Sequence, residues 1–318
     1  MLGGVHDGAV IRVGGLRKLY GNVVAVDGID LRVDRGQVVA LLGPNGAGKT
    51  TTVEILEGYR RRQGGEVEVL GEDPAVAGPA WRARIGIVLQ STTAFEELTV
   101  AEIVHHVARF YPNPLVPDDV LELVGLETKR GARGGQLSGG QQRRLDIALG
   151  IVGNPELVFL DEPTTGLDPQ ARRQLWSLVE RLTGLGNTVL LTTHYLDEAE
   201  ALADRAAVIV SGRIVAEGAP HAIGGRAEAT AKVSFSVRGA LSGRTLPGLN
   251  GARIETDSTT GRVDIHTDAP TAVVAALHEW ASAVGEGELP ELSIVRPTLE
   301  DIYLRLIAEH EHAGVTDG

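Results

Sequence analysis

The 318-residue chain contains no cysteine, which excludes disulfide bonds, thiolate zinc sites and cysteine nucleophiles. It also lacks long apolar runs. The longest unbroken run, Ala272–Leu277, has six residues, whereas a membrane-spanning helix needs about 18 or more. The first ten residues show no basic segment followed by an apolar stretch. We therefore expect a chain with no signal peptide that does not itself cross a membrane.

Positive charge is in deficit, since 30 Lys and Arg against 42 Asp and Glu give a formal net charge of −12. An acidic surface repels phosphate backbones, so we expect no nucleic-acid partner, and any anion site has to be local. Apolar residues make up 43% of the chain, enough for a substantial core. The length allows roughly two domains of about 150 residues.

Residues 1–225 alternate short apolar runs with amphipathic helical patterns, which predicts an α/β domain with a largely parallel sheet. The predicted buried strands are Val38–Leu42, Leu157–Leu160, Val189–Thr193 and Ala207–Val210. The glycine-rich segment Gly218–Gly225 is typical of a hinge.

Residues 226–312 have a different pattern, which predicts a separate small α+β domain, followed by a disordered tail at 313–318. Alternating residues predict its strands, and apolar stripes predict its two helices. The predicted strands are Val233–Val237, Arg253–Thr256, Val263–His266 and Leu292–Val295, and the predicted helices are Thr271–Val284 and Leu299–Glu309.

A glycine-rich motif at residues 43–50, G-x-x-x-x-G-K-[ST], has the pattern of a phosphate-binding P-loop. It follows the first buried strand and precedes a helical segment. Glycines let consecutive backbone N–H groups turn toward an anion, and the helix N-terminus adds its positive dipole end. Lys49 can reach the β- and γ-phosphates of a nucleotide, and the Thr50 hydroxyl can bind Mg²⁺. The predicted nucleotide-binding residues here are Gly43, Pro44, Asn45, Gly46, Ala47, Gly48, Lys49, Thr50 and Thr51. The alternative is a glycine-rich turn with a chance lysine, which arises in roughly 1% of chains of this length.

Two carboxylates and a histidine follow other predicted strands. Asp161 and Glu162 end the strand Leu157–Leu160, and His194 follows Val189–Thr193. Ligands bind at this edge of an open α/β sheet. We predict that Asp161 holds Mg²⁺ and that Glu162 acts as general base on the attacking water. His194 is predicted to contact the γ-phosphate or orient Glu162, the alternative being a purely structural histidine.

A second Ser/Gly-rich helix N-terminus, Leu-Ser-Gly-Gly-Gln, lies at 137–141. Such an end favours anions, but it has no lysine and no metal-binding hydroxyl beside its glycines. It therefore cannot be an independent nucleotide site, and Ser138, Gly139, Gly140 and Gln141 are the candidate residues of a second anion-binding site. The alternative is an ordinary serine N-cap with flexible glycines.

These motifs, in this order and spacing, resemble those of the ATP-binding cassette (ABC) family over residues 10–220. Residues 137–141 resemble the segment that is called the signature of this family. The resemblance implies that Tyr20 stacks on adenine and that Gln90 binds Mg²⁺ and senses a membrane partner. It also implies that Asp168 belongs to a loop linking two active sites, that His194 is the switch histidine, and that Lys49 assists catalysis. The implied fold is a P-loop NTPase with a mostly parallel sheet, an antiparallel N-terminal part and a helical subdomain at about 91–153.

The resemblance further implies a head-to-tail homodimer, with ATP and Mg²⁺ held between the P-loop of one chain and Ser138–Gln141 of the other. The segments 193–218 and 297–306 resemble the daunorubicin-resistance type of ATP-binding subunit. That type implies an exporter of drug-like or lipid-like molecules, a separate polytopic membrane subunit and a peripheral location at the cytoplasmic face of the membrane.

Two further interpretations remain open. A soluble cassette ATPase acting on ribosomes or DNA is the alternative function, although the chain has one P-loop, no heptad run and no cysteine. Arg143 and Arg144, which follow the signature, are interpreted as helix-surface arginines paired with acidic neighbours, the alternative being an arginine finger.

Overall fold

A computed structural model describes residues 8–89, 96–249, 251–257 and 259–313 of the chain. These residues fall into two compact units, Met1–Pro220 together with Ile307–Gly318, and His221–Leu306. The boundary after Pro220 lies inside the predicted hinge segment Gly218–Gly225. Except for Ala313, the predicted disordered tail, 313–318, lies outside the described residues.

The first unit is built on a six-stranded sheet that is parallel except at one edge. Its strands, in spatial order, are β5 (Ile85–Val88), β6 (Leu157–Asp161), β7 (Thr188–Thr193), β3 (Val38–Leu42), β8 (Arg205–Val210) and the antiparallel β9 (Arg213–Gly218). Every residue of β3 and β7 is buried, as expected where helices cover both faces of a parallel sheet. The four predicted strands of this domain are confirmed.

The first unit also contains a three-stranded antiparallel sheet. Two of its strands precede β3 in the sequence and the third follows helix α1 (Lys49–Leu56), and its two long strands carry both buried and exposed residues. Its order is β2 (Val23–Asp34), β1 (Ala9–Tyr20) and β4 (Gly64–Val69). Alternating residues such as Ile11, Ile29 and Val69 enter the same core as strand β3. The mixed fold class implied by the family resemblance, with an antiparallel N-terminal part, is confirmed.

Helices cover the parallel sheet and form the helical subdomain. The helices that connect the strands are α1 (Lys49–Leu56), α2 (Pro79–Arg82), α6 (Pro169–Gly184) and α7 (Leu196–Leu202). The subdomain comprises α3 (Val100–Ala108), α4 (Pro117–Leu123) and α5 (Gly139–Ile151), with 3₁₀ turns at Glu127–Lys129 and Gly134–Gln136. Residues 91–95 of the predicted subdomain lie outside the described residues.

The second unit is a four-stranded antiparallel sheet packed against a helix. The sheet order is β11 (Arg253–Asp257), β12 (Arg262–Thr267), β10 (Ala231–Ser236) and β13 (Ser293–Val295). Helix α8 (Pro270–Ala283) buries Leu277 in a core with Phe235 and Ile265, and α9 (Leu299–Ala313) follows the last strand. The six elements that the sequence predicts here are confirmed. Among the residues that the structure describes, no helix combines the length and apolar character needed to cross a membrane.

Helix α5 approaches the parallel sheet through a pair of glycines. A Cβ added to Gly86, in β5, would lie 2.1 Å from the Gly150 carbonyl oxygen and 3.1 Å from the Pro155 ring. A Cβ added to Gly150 would lie 2.6 Å from the Val88 side chain. Only glycine at these positions allows the helix that carries the signature at its start to lie this close to the sheet.

We expect Gly86→Ala to lower the free energy of unfolding by about 1–3 kcal/mol, because an inserted methyl group forces the helix backbone away from the strand. Chemical denaturation measures the change. Gly184→Ala, at an exposed helix end with open space around the added Cβ, is the matched control. Equal stabilities of the Gly86→Ala and Gly184→Ala variants would show that the close approach is not needed.

Candidate nucleotide site

The P-loop joins the buried strand β3 to helix α1. Gly46 and Gly48 have φ angles of 81° and 106°, which glycine adopts without strain. A Cβ on Gly43 or on Gly48 would lie 2.4 Å from a backbone oxygen, of Ile209 and Ala25 respectively. The loop therefore needs glycine for both its turn and its close packing, while Asn45, Gly46 and Thr50 are exposed.

Lys49 is buried at the base of this loop. Its Nζ donates hydrogen bonds to the carbonyl oxygens of Gly43, at 2.7 Å, and Pro44, at 3.1 Å. Burial lowers the pKa of Lys49, while the negative charges of Glu162 and Asp161 act in the opposite direction. The ammonium thus lies where an anion entering the loop meets it, and Thr50 beside it is exposed.

The carboxylates lie at the carboxyl end of β6, next to β7. Asp161 pairs with Thr192 in the sheet register, and its carboxylate accepts a hydrogen bond from the Thr192 hydroxyl. The Glu162 N–H donates to Thr192, at 3.1 Å to both the carbonyl and the hydroxyl oxygen. Thr192 therefore positions both acidic residues, and the sequence analysis did not identify it.

The Glu162 carboxylate is held on both oxygens. His194 Nδ1 lies 3.3 Å from Oε1, and the Thr165 hydroxyl donates to Oε2 at 3.1 Å. The His194 ring packs 4.1 Å from the Tyr195 ring, which in turn lies 4.3 Å below the Arg172 guanidinium. The structure thus brings His194 and Glu162 together at the same edge as the P-loop lysine.

The signature segment begins helix α5 with a capping box. The Ser138 Oγ accepts a hydrogen bond from the Gln141 N–H at 3.4 Å, and the Gln141 Oε1 accepts from the Ser138 N–H at 3.0 Å. Ser138 and Gly139 are exposed. Between the described residues, no hydrogen bond or ion pair joins Ser138–Gln141 to the P-loop, so the two half-sites stay separate within one chain.

Asp168 lies on the same face as the signature. Both border a cavity of about 340 Å³, which Gly166 and Leu167 also line. The Asp168 carboxylate caps α6, since its Oδ1 accepts hydrogen bonds from the N–H groups of Gln170 and Ala171 at 2.9 Å. Capping of α6 is sufficient to explain an aspartate at position 168. The role of Asp168 in a loop that links two active sites stays a prediction.

Tyr20, at the end of β1, is 40% exposed and lies between basic side chains. Lys18 Nζ is 5.1 Å and the Arg60 guanidinium 5.4 Å from the ring centroid. The ring therefore offers an accessible aromatic surface in a positively charged setting. Gln90 lies outside the described residues, so its predicted metal and membrane-partner roles stay predictions.

Magnesium fits this site when nucleotide oxygens supply most of its ligands. Within the described part of the chain, no group of three or more His, Asp or Glu side chains is arranged to hold a metal ion. Mg²⁺ usually takes one or two protein oxygens and completes its shell with phosphate and water. The exposed Thr50 hydroxyl and the partly accessible Asp161 carboxylate provide donors of that kind.

The interpretation of Arg143 and Arg144 as surface arginines paired with acidic neighbours is wrong. Arg143 is 6% exposed, and its guanidinium donates to the backbone carbonyls of Leu89, Asp161 and Pro163. Arg144 donates to the carbonyls of Gly140 and Gly125. Arg143, Ile147 and Ile151 follow one another at intervals of four residues, and both isoleucines are buried. This spacing was the available signal that position 143 faces inward.

Glu57 is a second residue that the sequence analysis missed. It directly follows α1, is 9% exposed, and carries a carboxyl group whose pKa is raised to about 8 by burial and then by Asp161 and Glu54. Its position beside the apolar Val53 and Leu56 indicates an inward orientation. Glu57 is therefore a buried acid whose surroundings favour its protonated form.

Sequence comparison identifies proteins related to this chain. The family profile described as ABC transporter matches residues 26–165. The daunorubicin resistance ATP-binding protein DrrA3 of Streptomyces coeruleorubidus is 39% identical over 316 residues, covering 94% of this chain and 96% of that protein. The Nod factor export ATP-binding protein I of Ralstonia nicotianae is 37% identical over 318 residues, covering 95% of each.

Solved structures show the same fold. CbiO1 from Clostridium perfringens, part of an ABC transporter complex, matches with a TM-score of 0.63 and 28% identity over 68% of this chain and 90% of that one. A bacterial ABC transporter cassette solved as a dimer matches at 0.59 and 26% identity, over 66% and 98%. The chain belongs to the ABC transporter family, among the ATP-binding subunits of the daunorubicin-resistance type. It is an ATPase whose hydrolysis is coupled to transport.

The raised pKa of Glu57 predicts a pH-dependent stability. Between about pH 4.5 and pH 8 the folded chain binds a proton at Glu57 that the unfolded chain has lost, so the free energy of unfolding falls as the pH rises through this interval. Glu57→Gln is neutral throughout. We compare the free energy of unfolding of Glu57→Gln with that of the unmodified protein. We expect this difference to favour the variant more at pH 9 than at pH 5, by at least ~1 kcal/mol.

Urea denaturation of the nucleotide-free protein at the two pH values measures this difference. The same substitution at exposed Glu122 is the matched control. A gain that is equal at pH 5 and pH 9 would contradict the assignment of a neutral buried carboxyl group at Glu57.

Proposed function

We propose that the chain is the ATP-hydrolysing subunit of an exporter that drives efflux of a drug-like or lipid-like molecule through a separate membrane subunit. The contact of His194 with Glu162, at the sheet edge that also holds the Lys49 loop, carries the ATPase part of the proposal. Relatives named for daunorubicin resistance and for Nod factor export support the exporter part.

Nucleotide binding follows from the P-loop and the exposed aromatic ring. The backbone N–H groups of residues 45–51, together with the α1 N-terminus, receive the phosphates, and Lys49 moves its donors from loop carbonyls to phosphate oxygens. Tyr20 supplies a stacking surface for the base. Thr50, Asp161 and Gln90 are the residues that would hold Mg²⁺, which neutralises the charge that develops on the phosphates during transfer.

Glu162 is the proposed general base. Its side chain is 17% exposed, enough for an attacking water to reach it, while His194 and Thr165 hold its two oxygens in place. A base fixed in this way is already oriented toward the attacking water, and general-base catalysis typically contributes roughly 10²–10⁴-fold to the rate. His194, at the end of β7, is proposed to orient Glu162 and to contact the γ-phosphate.

A head-to-tail homodimer would complete each site. The exposed helix N-terminus at Ser138–Gln141 does not contact the P-loop of its own chain, and a symmetric pair presents each signature to the other chain's nucleotide. Asp168 borders the same cavity as Ser138, so it would lie at that interface. A relative of known structure forms a dimer, which supports this arrangement.

The proposed location is the cytoplasmic face of the membrane, where the chain would bind its membrane subunit as a peripheral protein. Among the described residues, Ile87 and Leu89 are exposed apolar side chains next to Gln90. The groove proposed to grip a helix of the membrane subunit is beside Gln90–Val100, the segment that follows these two residues in the sequence. The direction of transport rests on the relatives' names.

We expect Glu162→Gln to abolish ATP turnover while leaving nucleotide binding intact, because the amide cannot accept a proton but keeps the size of the side chain. The variant should accumulate as an ATP-bound dimer. Steady-state phosphate release and size-exclusion chromatography with ATP measure the two effects. Turnover at the unmodified rate would refute the general-base assignment.

Two further variants serve as controls for this experiment. Lys49→Ala is expected to weaken nucleotide binding itself, seen by titration, since it removes the buried ammonium from the P-loop. Glu122→Gln makes the same chemical change on the exposed side of α4 and is expected to leave turnover unchanged.

The membrane partner is tested by purification of the tagged chain from gently solubilised native membranes, with the cytosolic fraction as control. We expect a polytopic membrane protein to be retained in stoichiometric amount, and its identity would narrow the range of transported molecules. Recovery only from the cytosol, together with ribosomal or DNA-bound proteins, would refute the exporter proposal.

A further inference from the structure

Arg143, in the second turn of α5, donates hydrogen bonds to three backbone carbonyls in two separate segments of the chain. Its Nε donates to the Pro163 carbonyl oxygen at 2.8 Å, and one terminal nitrogen donates to the Asp161 carbonyl oxygen at 2.9 Å. The other terminal nitrogen donates to the carbonyl of Leu89, just after strand β5. One side chain thus joins the signature helix to the ends of two strands of the parallel sheet.

Two of the three carbonyls lie on either side of Glu162. The φ angle of Glu162 is 43°, a left-handed conformation that residues other than glycine seldom adopt. On one side, Thr192 accepts the Glu162 N–H. On the other, Arg143 binds the carbonyls of both Asp161 and Pro163, so the strained residue is held from two directions.

Only arginine has the geometry for this task. Its planar guanidinium carries five N–H donors in a fixed fork, whereas the lysine ammonium directs three donors from a single point. A buried cation is costly unless hydrogen bonds satisfy it. Burial lowers the pKa of Arg143, and the negative charges of Asp146, Asp161 and Glu198 act against that shift. The charge and the fork are both needed at this position.

We propose that Arg143 is a positioning residue for ATP hydrolysis, which holds the backbone on both sides of Glu162 and ties its orientation to the signature helix. The inference rests on the proposed role of Glu162. A shift of α5 relative to β6 then changes the direction of the Glu162 carboxylate. Ligand binding at Ser138–Gln141, the start of α5, would thereby change the rate of hydrolysis at the P-loop of the same chain.

The test is Arg143→Lys in the full chain, which keeps the charge but not the fork. We expect kcat to fall about tenfold or more, since a displacement of about 1 Å can cost up to 100-fold. The Kd for ATP should change less than about twofold, because Arg143 makes none of the hydrogen bonds of the P-loop. Arg130→Lys, in an exposed ion pair with Asp118, is the matched control and should leave both constants unchanged.

Amide hydrogen exchange provides a readout that does not depend on turnover. In Arg143→Lys, exchange should rise in residues 161–165 and stay unchanged in β3, whose hydrogen bonds Arg143 does not touch. Exchange that is unchanged in both segments would overturn the proposal. So would an equal rise in both, because Arg143 would then support the fold in general.

A double substitution separates this proposal from the proposed function. If Arg143 acts through Glu162, adding Arg143→Lys to Glu162→Gln should leave unchanged the residual rate of ATP cleavage that Glu162→Gln retains in single-turnover measurements with protein in excess. An additional tenfold loss would overturn the proposed route through Glu162. If Glu162→Gln alone keeps full turnover, the general-base assignment fails, while a local rise in exchange would still establish that Arg143 positions this segment.

Discussion

The register of three neighbouring parallel strands is the constraint on which the rest of the site depends. Thr192 pairs with Leu41 of β3 on one side and with Asp161 of β6 on the other. All three strands therefore end at one level, and the groups that follow them meet there: the P-loop, the two carboxylates and His194. Since both β3 and β7 are fully buried, a slip of one residue would exchange the side chains packed on the two faces of the sheet and disrupt the close packing on both. The core thus enforces the geometry of the site.

Each of three charged groups near this edge of the sheet has defined hydrogen-bonding or ion-pair partners. Lys49 is bound by its own loop carbonyls, Arg143 by three carbonyls from two strands, and Glu162 by His194 and Thr165. A buried charge without such partners would be strongly unfavourable. Each group therefore has a defined direction before nucleotide binds, and the same hydrogen bonds that stabilise the fold also orient the groups proposed to act in hydrolysis.

Local patterns were sufficient to predict most elements of the fold. Val38–Leu42 and Val189–Thr193 were recognised because buried strands are short apolar runs, and the strands of the second unit because their residues alternate. Arg143 was misinterpreted because charge on a helix usually faces solvent, and the carbonyls that bind it come from residues 54 positions before it and 18 to 20 after it. Thr192 was missed for a similar reason, since nothing in a strand's own pattern marks the threonine that faces a neighbouring carboxylate.

The sequence alone determined the family, the order of the elements and the identity of the P-loop, signature and strand-end residues, because each of these depends on residue types at fixed local spacing. Tertiary structure decided which of these residues contact one another. In the folded chain His194 contacts Glu162, and Asp168 caps helix α6. Ser138–Gln141 form their own capping box apart from the P-loop, and Arg143 is buried against backbone carbonyls. Contacts of this kind join residues far apart in the chain, and they are set by strand register and helix packing, which short-range patterns do not specify.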